Sequence, residues 1–434
     1  MLELILSPLF IMGTLFVILL TLRMPLAFTI GIASIAFFLV SGKSSLIIPI
    51  QKLVLASQNP ALLAIPFFVL AGNLMNSAGI TSRLIKFCML LTAHMAGGLA
   101  QVTIILSAIM GGVSGSAVAD VAMQSKILGP DMIQKNYSKG FIATSISFSG
   151  LITATLPPSV GLILYGFVGN VSIGRLFLAG IIPGILMTIF LMFTVSIISK
   201  KRGYTADQEK MTELPKIAKS LLECFWAILF PVILIVTIRF GIFTPSEAGS
   251  FAVVYAFVVG KFAYKELTYE KLAQVFKSTV IDNATIMLII SFSGLFGYII
   301  IDNQIPQTMT STLISITENK YALLFLILSF LFIIGMFMEG TVNVLLLTPI
   351  FLPILKNVGV DPVHFGILMM TIVTLGAMTP PVGVAMFTSC SILKCPTAQY
   401  IKESWPFLIA IFSLILTLVA FPNLVLGLPN LVYN

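Results

Sequence analysis

The sequence predicts an all-α polytopic membrane protein made of two inverted-topology repeats, each with a re-entrant helical hairpin and a broken helix. Three observations predict it. Of 434 residues, 58% are hydrophobic and 9% charged, and the mean hydropathy is +1.08; soluble domains carry about 25% charged residues. Thr155-Leu156-Pro157-Pro158-Ser159-Val160-Gly161 and Thr379-Pro380-Pro381-Val382-Gly383 place paired prolines inside long apolar runs. The same local landmarks also recur in both halves at a nearly constant offset.

Apolar stretches run along the whole chain, among them Leu4–Leu22, Ile181–Ile198, Cys224–Ile238, Tyr321–Met338 and Phe407–Phe421. At roughly 20 residues such stretches cross a bilayer as helices, and about 10 to 12 spans or half-spans are expected, with no soluble domain. The first stretch lacks a basic start and a small-residue cleavage site, so it reads as a retained span and not as a signal peptide.

The net charge of +8 is concentrated in two connections. One holds Lys200, Lys201, Arg202, Lys210, Lys216 and Lys219, the other Lys261, Lys265, Lys271 and Lys277. Basic loops mark the cytoplasmic side, so the charge reports orientation in a membrane and not a nucleic-acid partner. Cys88, Cys224, Cys390 and Cys395 lack CxxC spacing and are expected as buried free thiols. His94 and His364 lie too far apart for a local metal motif. No GxxxxGK[ST] loop is present to hold ATP phosphates. Energy must then come from an ion gradient or from another subunit. No spacing suggests a Ser/His/Asp or Cys/His arrangement, so neither an enzyme nor an organic cofactor is expected.

The repeat shows in three pairs of landmarks. The corner Arg23-Met24-Pro25 matches Phe243-Thr244-Pro245, 220 positions on (245 − 25). The proline pairs lie 223 apart (380 − 157), and between them Phe68–Asn73 matches Phe292–Gly297. The expected organisation is a first repeat over residues 1–200, a basic cytoplasmic connection over 201–220 and a second repeat over 221–434. The hairpin of spans between the basic connections puts Gly241–Ser246 outside, while Arg23 puts its matching corner inside. Equivalent corners on opposite faces mean inverted topology. Two amphipathic segments at matching positions, Ser45–Gln58 and Lys261–Lys277, fit helices lying at the interface, as a frame bracing moving parts.

Four segments can carry chemistry. Gly111–Asp120 is rich in small and polar residues between apolar flanks, which suits a re-entrant hairpin with its tip at Ser114, Gly115, Ser116 and Ala117. Close helix packing through small residues is the alternative. In the second half Glu339, Gly340 and Thr341 fall at the equivalent place (339 − 116 = 223). An intramembrane carboxylate is a functional group by default: Glu339 helps neutralise Na⁺, relays a proton or caps the following helix. The breaks remove backbone donors and open the helix where no water can compensate. Each break, at Thr155, Pro157, Pro158 and Ser159 and at Thr379, Pro380, Pro381 and Gly383, offers unwound carbonyls suited to Na⁺ and a helix N-terminus suited to an anion. Asn73 and Asn76 are either site residues or polar groups at a helix end.

Pro66–Met75, Gly112–Asp120, Gly241–Ala248 and Asp361–Gly366 resemble the large membrane subunit of TRAP (tripartite ATP-independent periplasmic) transporters over nearly the whole chain. The resemblance implies a multi-pass bacterial inner-membrane importer that carries the transport path. Its implied partners are a small four-span membrane subunit, a periplasmic substrate-binding protein, membrane lipid, an organic-acid solute and Na⁺ as coupling ion. It also implies an elevator mechanism, in which a mobile domain with two hairpins slides against a scaffold. Ion and substrate would meet Ser114–Ala117, Thr155–Ser159, Glu339–Thr341 and Thr379–Gly383. Family members commonly show Met-Asp-Ser-Thr where this chain has Met338-Glu339-Gly340-Thr341. A carrier of organic anions that works without a binding protein is the competing function.

Overall fold

The computed structural model describes residues 7–22, 24–42, 47–58, 60–206, 212–317 and 319–433. Among them the chain is helical throughout, without strands. The first half runs α1 (Pro8–Thr21), α2 (Leu26–Ser41), α3 (Ile47–Ser57), a 3₁₀ turn (Pro60–Leu63), α4 (Ala64–Ser77), α5 (Ile80–Thr92), α6 (Gly98–Ser114), α7 (Ala117–Gln134), α8 (Lys139–Thr155), α9 (Val160–Gly169) and α10 (Ile173–Arg202). A connecting helix, α11 (Leu214–Glu223), precedes the second half: α12 (Phe225–Arg239), α13 (Pro245–Val258), α14 (Tyr269–Asp302), α15 (Ile305–Ile316), α16 (Lys320–Gly335), α17 (Gly340–Asn357), α18 (Pro362–Gly376), α19 (Val384–Leu393) and α20 (Thr397–Ala420). Helix α21 (Asn423–Tyr433) closes the chain.

Local chemistry sets the helix starts. With no water in the hydrocarbon core, the free N–H groups of a first turn need partners. Ser7, Ser138 and Ser172 accept from Phe10, Phe141 and Arg175. Asn319 accepts from Tyr321 and Ala322, and Asp361 from Val363 and His364. Thr244 and Glu247 form a reciprocal capping box at the start of α13, with Pro245 at its first position.

Four helices are long and apolar enough to cross a membrane: α10, α14, α17 and α20. Three further pairs pass the same test together but bend at a break, by 68° at α4–α5, 45° at α8–α9 and 65° at α11–α12. Eight shorter apolar helices accompany them, as half-spans require.

From the hairpins to the last long helix, the second half repeats the first. The hairpin α6–α7 reappears as α16–α17, the broken pair α8–α9 as α18–α19, and the long α10 as α20. Contacts are exchanged in the same sense: α9 packs on α17 of the other half, and α19 packs on α7. The side chains interlock reciprocally. A Cβ on Gly169 of α9 would stand 2.7 Å from Leu352 of α17, and one on Gly129 of α7 would strike Leu393 of α19. Each interface thus sets a glycine against a leucine, with the roles swapped between the repeats.

The repeats are inserted in opposite senses. At one end of the molecule the starts of α6, α8 and α20 meet the end of α10. Gly97 donates to Tyr204 O (3.1 Å), Ser138 N–H to the Tyr204 hydroxyl (3.1 Å), and Arg202 pairs with Glu403 at 2.6 Å. At the other end Tyr165 donates to Pro362 O (2.6 Å), His364 Nε2 lies 2.9 Å from Leu418 O, and Arg175 donates to Asn430 (2.9 Å). Helices α10 and α20 are therefore antiparallel, and hairpin 1 opens at the end where hairpin 2 does not. Lys200, Lys201 and Arg202 close α10 at hairpin 1's end.

The core lies on the broken helices. Every residue from Gly140 to Thr155 in α8 and from Val363 to Gly376 in α18 is buried, and the two helices touch. Helix α1 buries only Met12 and exposes Phe10, Val17 and Ile18, a surface that hydrocarbon solvates without cost. The four cysteines are free and buried.

One expected element differs. Lys261–Lys277 does not form its own interfacial helix. After a short π-helical stretch (Val259–Ala263), Lys271 and Lys277 belong to the opening turns of α14, which runs unbroken for 34 residues. In the first half the equivalent run is interrupted between α3 and α4, where Pro60 opens the 3₁₀ turn; no proline falls inside α14. At 1.5 Å per residue α14 is about 50 Å long and outreaches a core of about 30 Å. The expectations resting on Arg23, Ser45 and Lys210, and on the start of the Leu4–Leu22 stretch, lie outside the described residues.

Candidate functional site

Each hairpin tip lies against the break of its own repeat. In the first, α8 ends at Thr155, Leu156 turns extended, and the Pro157–Pro158 bond is cis. Ser159 bridges the gap. Its hydroxyl donates to Ala154 O (2.6 Å) at the end of α8 and accepts from Leu162 N–H (3.4 Å) at the start of α9. Thr155 donates back to Leu151 O (2.9 Å). Tip 1 folds over this break. Gly115 is left-handed (φ +60°), and a Cβ there would stand 2.5 Å from Pro158 O, so only glycine permits the approach. Ser116 caps α7 by accepting from Ala119 N–H (3.5 Å). The side chain of Ser114, the last residue of α6, lies outside the described residues.

The second junction has the same plan and a different finish. Gly335 and Gly376 bring the backbones of α16 and α18 together; a Cβ on Gly376 would fall 2.5 Å from Gly335 C. Thr379 donates to Leu375 O (2.7 Å) and Gly376 O (2.9 Å), and Pro380–Pro381 is cis. Gly383 N–H donates to Met336 O (2.9 Å), tying break to tip. Glu339 caps α17: its Oε2 accepts from Thr341 N–H (3.0 Å) and from the Thr341 hydroxyl. Gly340 stands near Thr374, whose Oγ1 would lie 3.5 Å from an added Cβ.

The two junctions differ in access. Thr155, Pro157, Pro158 and Ser159 are all buried, whereas Pro381 and Val382 are exposed. Ser159 caps α9, but no side chain caps the start of α19. Break 2 therefore presents a helix N-terminus, with its partial positive charge, at an open surface. The junctions adjoin each other at Gly150 of α8, where an added Cβ would lie 3.1 Å from Ala117 O of tip 1 and 3.5 Å from Met378 Cε beside break 2.

Asn73 stands apart from this group. Its amide donates to Thr279 (3.0 Å) and Asp282 (3.3 Å), and Asn283 donates to Pro66 O (3.4 Å). These bonds tie α4 to α14. Asn76 accepts from Thr81 (3.4 Å) across the α4–α5 bend.

Sequence reasoning missed Asp120. It lies buried below tip 1, and its Oδ2 accepts from Ser107 of α6 (2.6 Å), Gln124 (3.0 Å) and Thr153 of α8 (2.7 Å). The signal was present: an acidic residue beside an apolar run, the criterion that singled out Glu339. Among the described residues, no group of three or more His, Cys, Asp or Glu side chains could hold a metal ion. A cation here would depend on carbonyl and hydroxyl oxygens, with isolated carboxylates.

The chain's similarity to known proteins can be set against this geometry. Residues 13–424 match the family model described as the tripartite ATP-independent periplasmic transporter, DctM component. The chain belongs to this family. It is 37% identical over 413 residues to the sialic acid TRAP transporter large permease protein SiaM of Vibrio cholerae, a match covering 94% of this chain and 95% of that protein. It is 30% identical to the C4-dicarboxylate TRAP transporter large permease protein DctM of Rhodobacter capsulatus, over 98% of this chain and 99% of that one. Among solved structures, the Alcanivorax borkumensis YdaH transporter superposes with a TM-score of 0.62 at 13% identity, covering 86% of this chain and 87% of that one; the likeness is one of fold. The chain is thus a TRAP transporter large permease, a multi-pass protein of the bacterial inner membrane.

Proposed function

We propose that this permease imports a carboxylate-bearing organic solute together with Na⁺, taking the solute from a periplasmic binding protein. A small four-span membrane subunit would brace its scaffold. The observation that carries the reading is the pair of tip–break junctions adjoining at Gly150. Unwound carbonyls and hydroxyls there form a hard-oxygen set suited to Na⁺. The N-terminus of α19, which no side chain caps, suits the carboxylate of the solute. Relatives named for sialic acid, C4-dicarboxylate and 2,3-diketo-L-gulonate transport support an acidic solute as the class. Movement would be elevator-like, with the hairpins and broken helices sliding past α4 and α14, which Asn73 holds together.

The test is uptake of candidate organic acids into proteoliposomes holding all three proteins. Accumulation is expected only with an inward Na⁺ gradient and the binding protein. Accumulation without the gradient contradicts the coupling; uptake by the permease alone contradicts the dependence on its partners.

A further inference from the structure

A cavity away from the tips and breaks separates α17 and the end of α9 from α14 and the helix that follows it, α15. We propose that this cavity is a lipid site: it takes one acyl chain of a membrane phospholipid, and the chain wedges α17 apart from the α14–α15 arm. The binding stands on the geometry alone, while its effect on movement rests on the elevator reading above.

The cavity holds about 540 Å³, a volume in the range of small-molecule sites. One wall is a single face of α17, since Thr348, Pro349, Leu352, Pro353 and Asn357 follow one another at helical spacing. Val168 and Gly169 extend that wall from α9. Opposite stand Ile301 in the last turn of α14 and Pro306, Gln307, Thr310 and Ser311 of α15. The hairpin and broken helix thus face the scaffold across this space.

Three observations name the occupant. Among the described residues no charged side chain lines the cavity, which suits a neutral chain better than a carboxylate. The α17 wall runs from Thr348 to Asn357, nine residues (357 − 348) or about 14 Å of helix rise. A hydrocarbon core is about 30 Å thick, so the wall is one leaflet deep. Polarity is also graded along it. The amides of Gln307 and Asn357 are exposed, and Asn357 closes α17 at the end where Tyr165 meets Pro362. Further along α17 the lining turns to Leu352 and Pro349. The hydroxyl of Thr348, the deepest polar group on that wall, is already given to Met369 Sδ (3.6 Å). An ester region at the two amides, with its chain lying along Leu352 and Pro349, matches this order.

The setting favours the same ligand. Apolar hollows stay dry, and an empty one forfeits the dispersion contacts of its lining. Hydrocarbon from the bilayer can fill this one directly, past Ile301, which is exposed at its edge. If the hairpins slide, the α17 face moves relative to Ile301 and Thr310, and the cavity changes shape. A chain that fits one position better than another biases the equilibrium by that difference in affinity.

The test reconstitutes the permease with its membrane partner and binding protein in liposomes containing phosphatidylethanolamine with a photoreactive diazirine on one acyl chain. After illumination, labelled positions are mapped by mass spectrometry. Label is expected within 301–311 and 348–357. Thr310→Trp, which fills the cavity from a half-buried position of α15, should lower that labelling about tenfold and leave labelling of α1 unchanged. It should also slow uptake, as a wedge that cannot leave. Thr310→Val, of nearly the same shape, should behave as wild type in both readouts. Should Thr310→Trp fail to assemble, Ser311→Phe makes the same comparison. Wild-type complex without label in either stretch overturns the site. So does label that appears there only when the small membrane subunit is left out, because that subunit is then the occupant. Wild-type uptake by a filled variant overturns the wedge. A labelled cavity in a wild type that shows no Na⁺-driven uptake upholds the site and refutes the proposed function, a separate failure.

Discussion

Glu339 is a helix cap in the structure and an ion ligand in the proposed function. Its Oε2 accepts from Thr341 N–H, a capping bond typically worth about 1 kcal/mol. Capping needs only an acceptor, whereas ion binding needs the charge, and Glu339→Gln separates the two. An amide oxygen still accepts from Thr341, so the complex should assemble with its melting temperature nearly unchanged. Apparent Na⁺ affinity should fall about tenfold, read from the Na⁺ dependence of uptake. An unaltered Na⁺ response would leave Glu339 as a cap alone. Such roles were only partly legible in the sequence. The criterion that an intramembrane acid is costly identifies Glu339 and, applied evenly, Asp120. It cannot find Ser107 and Thr153, because their meeting with Asp120 depends on three helices packing side by side. Nor does it separate Asn73 from the site, since an amide reads alike whether it holds a ligand or, as here, another helix.

At the scale of the helix, the breaks were the clearest feature in the chain. Proline chemistry is local: it removes a donor and blocks the preceding turn whatever packs nearby. Both breaks therefore stand where the sequence puts them. Replacing Pro157 and Pro158 together by alanine should let α8 run into α9, bury the unwound carbonyls in hydrogen bonds and lower Na⁺-driven uptake about tenfold or more, the scale of one mispositioned binding group. Wild-type uptake by this variant would mean that break 1 is a hinge without a share in binding. The interfacial segment of the second half was misread because amphipathic lysines look the same on a separate surface helix and on the protruding end of a long span. Pro60, at the start of the 3₁₀ turn, decides that difference in the first half, and the lack of a proline within α14 decides it in the second.

The whole molecule is a reciprocal assembly in which each repeat completes the packing of the other, through Gly169 on Leu352 and Gly129 on Leu393. A constant offset in the sequence reveals the duplication, and the basic loops reveal its orientation. The exchange of α9 and α19 between halves is visible only in three dimensions. The assembly is also uneven: break 1 is closed and break 2 open. A cavity of about 540 Å³ lies between α17 and the α14–α15 arm, lined by Ile301, Gln307, Thr310, Ser311, Leu352 and others. No tip or break residue lines that cavity, so it is a rival location for the solute. A density map of the assembled transporter with Na⁺ and its organic acid discriminates most directly. The account predicts solute against Thr379–Gly383 at the start of α19, with a cation at each hairpin tip. Solute held in the α14–α15 cavity, with both tips free of ions, would contradict it.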